Sequence, residues 1–346
     1  MANEIQIINP IECSGWDELV LSTPEYSIFH SSSWARILCD SYHYTPHYFT
    51  VFNQKEIIFS LPFMEIKSYI TGNRGVSLPF SDYCDPIIRQ EENLSGILEE
   101  VTKYAKDAGW KYFEIRLTHD QLKETIIYKI YFRHILQLAP NLDTIWESLR
   151  DSTRRNINKA ISSGVTIKIS NSFEDLMEYY RLHCITRKYH GLPPQPLKFF
   201  ISIYQHLIVC RMGIIILAKH KNKSVAGNIY FHVGKKAYFK YGASDRKYQQ
   251  YRASNLVMWE AIQHYHSNSY ASLCFGRTDI EDSGLLQYKN GWGTESSIIR
   301  YHKYDTLQGH FLNSKSTNKH TMSKVCKCLP LGVLHLIGSL CYRHIG

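Results

Sequence analysis

The sequence predicts an α/β fold built twice, and three observations carry that expectation. In the second half, helical and strand periodicities follow one another as two helices, a three-strand meander, helix, strand, helix, strand. The first half repeats a shorter version of the meander, helix and strand. The chain has 346 residues, and at about 150 residues per domain that length makes two domains.

Each element has its own signal. Residues 48–52 and 56–63 read as strands around the turn Asn53-Gln54-Lys55. Ile97, Leu98, Val101, Tyr104, Ala105 and Ala108 recur at helical spacing up to Gly109, and a strand follows over 110–117. Pro140 marks the boundary between the halves. Trp146, Leu149, Thr153, Ile157 and Ile161 then form one helical face that stops at Gly164, and Val165, Ile167 and Ile169 alternate as a strand. Ser172-Phe173-Glu174-Asp175 opens a helix that ends near Gly191-Leu192-Pro193-Pro194, and Phe199, Phe200, Ile203, Tyr204 and Leu207 mark another. The meander spans 213–218, 225–233 and 237–241. A helix over 254–264, a buried strand over 271–275, a short helix over 285–289 and a strand over 297–304 close the unit.

Composition bounds the class. Hydrophobic residues make up 44% and charged residues 21%, which excludes a disordered chain and a multi-span membrane protein. The formal charge is +9. Lys315, Lys319, Lys324, Lys327 and Arg343 carry more than half of it in a segment with no acid after Asp305. The nine cysteines are scattered without a CxxC pair, as expected of reduced thiols in a cytoplasmic protein. The N-terminus has no apolar run of the signal-peptide kind. The apolar stretch 328–341 holds Pro330, Gly332 and Gly338 and is too short to span a bilayer.

Several chemistries lack their motifs. There is no GxxxxGK[ST], GxGxxG, GxSxG or HExxH. The pairs His43/His47 and His264/His266 have no ligand context, and Asp279, Glu281 and Asp282 read as an exposed acidic loop; no metal and no tightly bound cofactor is expected.

One ordered series of segments points further. Phe275-Gly276-Arg277-Thr278, Ser283-Gly284, Lys289, Gly291-Trp292-Gly293 and Arg300-Tyr301 follow one another in the second half. Leu149-Arg150, Ser152, Arg154-Arg155, Ile157, Lys159-Ala160 and Gly164-Val165 precede them, then Tyr180, Thr186-Arg187 and Gly191-Leu192-Pro193. The first half has Phe29-His30 with Trp34, Leu61-Pro62-Phe63 with Lys67-Ser68, and residues 77–83. Over about residues 26–345 this series resembles the FemAB-like branch of the GNAT acyltransferase superfamily, most of all its members found beside exopolysaccharide and PEP-CTERM protein-sorting clusters. The resemblance implies tandem GNAT-like domains with mixed central sheets. Residues 1–139 would form the acceptor-side domain, 140–305 the donor-side domain, and 306–346 a basic amphipathic tail. It implies an acyl or aminoacyl transferase that acts on an amine of a cell-envelope or exopolysaccharide precursor such as that of peptidoglycan, with aminoacyl-tRNA or acyl-CoA as donor. An acyl-CoA N-acetyltransferase and a non-catalytic carrier-binding protein are the alternatives.

Attack of an amine on an ester or thioester needs a placed carbonyl and stabilisation of the oxyanion, not a protein nucleophile. Arg277 follows a buried strand end, where α/β sheets hold ligands, and can clamp a phosphate or carboxylate, or else pair with Asp279 or Glu281. Lys289 and Trp292 belong to the same motif: the lysine can neutralise charge, and the indole is either a ligand stack or core. Tyr241, at a strand end, can donate to the oxyanion. By the resemblance, Lys67 and Asp82 face the acceptor, the first on a diphosphate or acidic sugar and the second on the amine. Arg154, Arg155 and Lys159 lie opposite Trp146, Ile157 and Ile161 and can grip tRNA or another polyanion. GNAT enzymes hold a pyrophosphate on a glycine-bearing turn that opens a helix. Here the matching turn, residues 249–254, has no glycine, which argues against a standard acetyl-CoA nest; Arg246, Lys247 and Arg252 remain as side-chain partners, and Ser254 as a helix cap. In the tail, Leu331, Leu334, Ile337, Leu340 and Cys341 face one way and His335, Ser339 and Arg343 the other, as in a helix lying on an anionic inner leaflet or packed on the body.

Overall fold

The duplication shows in the strand order. A computed structural model describes residues 4–54, 56–89, 94–119, 122, 125–138, 141–314 and 326–346. Pro140, Lys315, Lys319 and Lys324 lie outside the described residues. Two units share the chain, one of residues 1–132, 298–316 and 340–346 and the other of residues 133–297 and 317–339.

In unit 1, β1 (Ile5–Ile8), β2 (Thr45–Asn53), β3 (Glu56–Ile66) and β4 (Arg74–Val76) pair antiparallel in chain order. Helix α3 (Leu94–Asp107) then returns the chain to β6 (Tyr112–Leu117), which runs parallel to β4. Helices α1 (Trp16–Leu21) and α2 (Ser32–Tyr42) precede the meander, and the short β5 (Ile87–Ile88) pairs with β3. Burial sorts the faces: Phe49, Phe59, Leu61, Phe63, Val101, Ala105, Trp110 and Phe113 form one apolar cluster.

Unit 2 repeats the plan. Helices α4 (Leu142–Ser148) and α5 (Asp151–Ser162) lead to β8 (Thr166–Ser170), α6 (Phe173–Tyr189) and α7 (Leu197–Ile203). The meander β9 (Gly213–His220), β10 (Lys223–Val233) and β11 (Lys236–Ser244) is antiparallel, with β8 antiparallel on its edge. Helix α8 (Ala253–Ser267) crosses over to β12 (Ser272–Asp279), parallel to β11. The core here gathers Ile157, Ile216, Tyr230, Val257, Ile262, Leu273, Phe275 and Trp292. Each unit therefore has a meander, a crossover helix and a parallel strand, in mixed sheets. Parallel neighbours require such a crossover, which is why the periodicity alternates as it does.

The remaining elements are β7 (Lys129–Gln137), α9 (Ser283–Asn290), β13 (Glu295–Asp305), β14 (His310–Phe311) and α10 (Leu331–Cys341). Three expectations need correction. Strand residues 298–305 fall in unit 1, not with residues 140–297, because Arg300 to Asp305 pair antiparallel with β6 and satisfy its edge. The helical run expected from Trp146 to Ile161 is two helices: Arg150 donates its N–H to the Gly291 carbonyl, and Ile161 is exposed. In α10, Leu334 and Gly338 are buried while Leu336 and Leu340 face outward, so both faces are apolar.

Candidate active site

The site in unit 2 starts from a strand irregularity. β10 and β11 pair Ile229 with Tyr241 and Tyr230 with Phe239, which leaves Lys240 as an extra residue. Such a bulge bends its strand and turns the following side chains over. Phe239 accordingly packs toward Tyr230 and Phe275, while Tyr241 meets Phe199 and Phe200 of α7. Pairing between β11 and β12 covers only Lys236 to Tyr238 with Ser272 to Cys274, although β11 continues to Ser244 and β12 to Asp279. Beyond the third pair, β12 carries Gly276 at φ +72°. Bulge and glycine thus mark where the two parallel strands cease to pair.

Past the end of β11 lies a cavity of about 610 Å³. Asn156, Thr186, Tyr189, Tyr248 and Tyr288 line it, together with Ser244 to Lys247 and Arg252 to Asn255. Thr186 pins the strand end to α6, donating its hydroxyl to the Ser244 carbonyl (3.0 Å) and accepting the Ser244 N–H (2.9 Å). Asp245 accepts the Lys247 N–H and starts a 3₁₀ turn over residues 246–251. Arg246 stacks on the Tyr189 ring, 4.0 Å from its centroid.

The turn into α8 answers the glycine question. Arg252 stands at φ +55°, the left-handed conformation that glycine would supply. An arginine adopts it at a cost of about 1–2 kcal/mol. The absent glycine therefore does not prevent the left-handed turn. Helix α8 begins at Ala253 with no side-chain cap; Ser254 sits in its first turn, not at the cap position. The uncapped first turn lines the cavity, and a helix start of this kind, with Arg246, Lys247 and Arg252 around it, favours an anion.

The segment after β12 brings two expected residues together. Lys289 is not an exposed helical lysine: it is 3% exposed, and its Nζ donates to the Arg277 carbonyl at 2.8 Å. Trp292 is buried between Phe275 and Tyr288 and has no exposed face on which a ligand can stack, so the expected stacking role gives way to a core one. His134 of β7 is also buried here, with Nδ1 3.2 Å from Ser296 Oγ. Burial first, then the Lys289 charge, pushes its pKa down to about 4. Sequence reading passed over β7, although Ile130, Phe132, His134 and Leu136 alternate as a strand should. On α5, Arg155 and Lys159 are exposed, and Arg154 pairs with Asp151.

In unit 1, Lys67 is exposed and its Nζ lies 3.2 Å from Glu65. Glu65 is buried and also accepts the Trp110 indole N–H at 3.0 Å. The His47 hydrogen bond, with those of Trp110 and Lys67, outweighs burial and holds its pKa down to about 2. Asp82 is half-buried, and its carbonyl accepts the Tyr301 hydroxyl at 2.7 Å. Neither Glu65 nor His134 stood out in the sequence, because a buried acid and a neutral histidine look like any others until their neighbours are known.

Residues 147–290 match the family model described as "Acetyltransferase (GNAT) domain". No curated protein sequence matches the chain. Among solved structures, the fold is similar to that of FemX, with a TM-score of 0.66 at 15% identity over 86% of this chain and 96% of that one. It is similar to the C-terminal domain of a putative lysylphosphatidylglycerol synthetase from Agrobacterium fabrum, with a TM-score of 0.54 at 13% identity over 82% and 90% of the two chains. It is also similar to a tandem GNAT protein from the clavulanic acid biosynthesis pathway, with a TM-score of 0.53 at 8% identity over 88% and 99%. With the repeated mixed sheets and the bulged, parting strands of unit 2, these likenesses show a fold like that of FemX and of tandem GNAT proteins, in which residues 147–290 match a GNAT acetyltransferase domain.

Proposed function

We propose that the protein transfers an acyl or aminoacyl group from an activated carrier to an amine of a cell-envelope or exopolysaccharide precursor. The cavity at the head of α8 carries this reading, because a basic, uncapped helix start beside a parted pair of strands suits a phosphate-bearing donor. The neutral amine attacks the donor carbonyl. A C–N bond forms, the C–O or C–S bond to the carrier breaks, and the ammonium proton leaves to the departing group or to water. Arg246 and Arg252 would hold the donor phosphates, while Arg277, Lys289 and Tyr241 would steady negative charge at the carbonyl or leaving group. Lys67 and Asp82 are assigned to the acceptor by family resemblance. Arg154 and Arg155 would serve only a donor as large as tRNA.

Two donors share this chemistry. The left-handed Arg252 turn favours a compact pyrophosphate such as that of acyl-CoA; the resemblance of the sequence motifs to the FemAB-like branch favours aminoacyl-tRNA. Purified protein incubated with either donor and a panel of amines, followed by mass spectrometry, separates them. The expected result is an acylated amine with one donor class. No product with either donor overturns the reading.

A further inference from the structure

We infer that the loop over residues 67–72, together with the end of the chain, forms a docking surface for an anionic lipid bilayer. All of these residues belong to unit 1. Tyr69 is 101% exposed and Ile70 73%, at the tip of a loop whose backbone is held firmly. Ser68 Oγ accepts the N–H groups of Ile70 and Thr71 and the Thr71 hydroxyl. Arg74, itself 2% exposed, donates to the His344 carbonyl at 2.7 Å, Thr71 donates to the same oxygen, and His344 Nδ1 lies 2.9 Å from Ser68 Oγ. The end of the chain is thereby fastened beside the loop, and next to His344 it adds Ile345 (59% exposed).

A loop tip that water alone surrounds is usually polar. Here hydrogen bonds donated by a buried arginine and accepted by a buried serine hold a loop that presents two large apolar side chains outward, with Ile345 on the fastened chain end. Charge selects the occupant. Lys67, Lys111 and Arg343 are exposed around this patch, and the Lys111 stem lies close to Gly72. Residues 66–75 and 340–346 contain no acid. Apolar side chains ringed by cations suit an interface where acyl chains lie under anionic headgroups, and aromatic residues favour that depth. This surface is independent of the donor cavity, so its test does not depend on transfer activity.

The test is cosedimentation of the full chain with vesicles of phosphatidylglycerol and phosphatidylcholine, against vesicles of phosphatidylcholine alone. The expected result is binding to the anionic vesicles that weakens as salt rises. The Y69S/I70S double variant should weaken it about tenfold or more, and R343Q or K111Q about fivefold each. Both loop side chains are exposed, so the double variant should keep the wild-type melting temperature. Ile70→Trp keeps the test open should it not, because a tryptophan there should tighten binding. Absence of wild-type binding to anionic vesicles, undiminished binding by Y69S/I70S with no tightening by Ile70→Trp, or a loop-dependent dimer in sedimentation velocity would each overturn the inference.

Discussion

Three buried polar residues set the chemistry that can be tested one side chain at a time. Lys289 holds the carbonyl of Arg277. Lys289→Ala removes a buried donor from that carbonyl and should cost about 1–3 kcal/mol of stability. It should also lower turnover by about ten- to a thousandfold if the ammonium steadies the oxyanion; steady-state kinetics beside a melting curve separates the two effects. Glu65 titrates at about 2 in the folded protein, below an ordinary carboxyl. Its ionised form therefore stabilises the fold above the ordinary value, by about 2–3 kcal/mol, and this is lost as pH falls toward 2. Glu65→Gln should be less stable than wild type at neutral pH and should lose less stability on acidification, which denaturant titrations at pH 7 and pH 3 can check. His134, held down to about 4, should be neutral at pH 6 in an NMR titration, and an apparent pKa near that of free histidine would contradict the burial described for it.

Secondary elements show how much could be read in advance and where reading stopped. The meander of unit 2, the crossover helix and β12 were legible because strands and helices of a two-layer α/β unit bury alternating or helically spaced residues. Arg246 and Arg252 could be singled out because the loop before α8 has a fixed place in that plan, and both line the cavity there. The bulge at Lys240 was not legible: one extra residue leaves the apolar pattern almost unchanged but reverses which side of the sheet Tyr241 meets. Nor was the left-handed Arg252, since sequence preference alone assigns that conformation to glycine. Two variants follow. Arg252→Gly should keep the turn and leave stability equal or raised by up to about 1 kcal/mol, yet weaken donor binding about tenfold through the lost guanidinium; unchanged affinity would assign the phosphate to backbone N–H groups alone. Deletion of Lys240 should restore regular pairing with β10, turn residues 241–244 over and reduce donor binding at least about tenfold.

At the scale of the whole molecule, one plan serves twice: a meander, a crossover helix and a parallel strand in each unit. The sequence echo was faint in the first half because β4 is only three residues long and β5 two. The duplicated units are not equivalent in what they offer. Unit 2 has the basic cavity at the head of its crossover helix, whereas unit 1 offers a buried carboxylate and the apolar loop tip. In the proposed reading, the cavity of unit 2 takes the charged donor. Its most direct test is an equilibrium titration of acyl-CoA and of aminoacyl-tRNA against wild type and an Arg246→Glu, Lys247→Glu variant. The account predicts saturable binding of one donor by wild type and at least about a tenfold loss in the variant, because two charges at the cavity are reversed. Equal affinity of both proteins for that donor, or no binding of either donor by wild type, would contradict it.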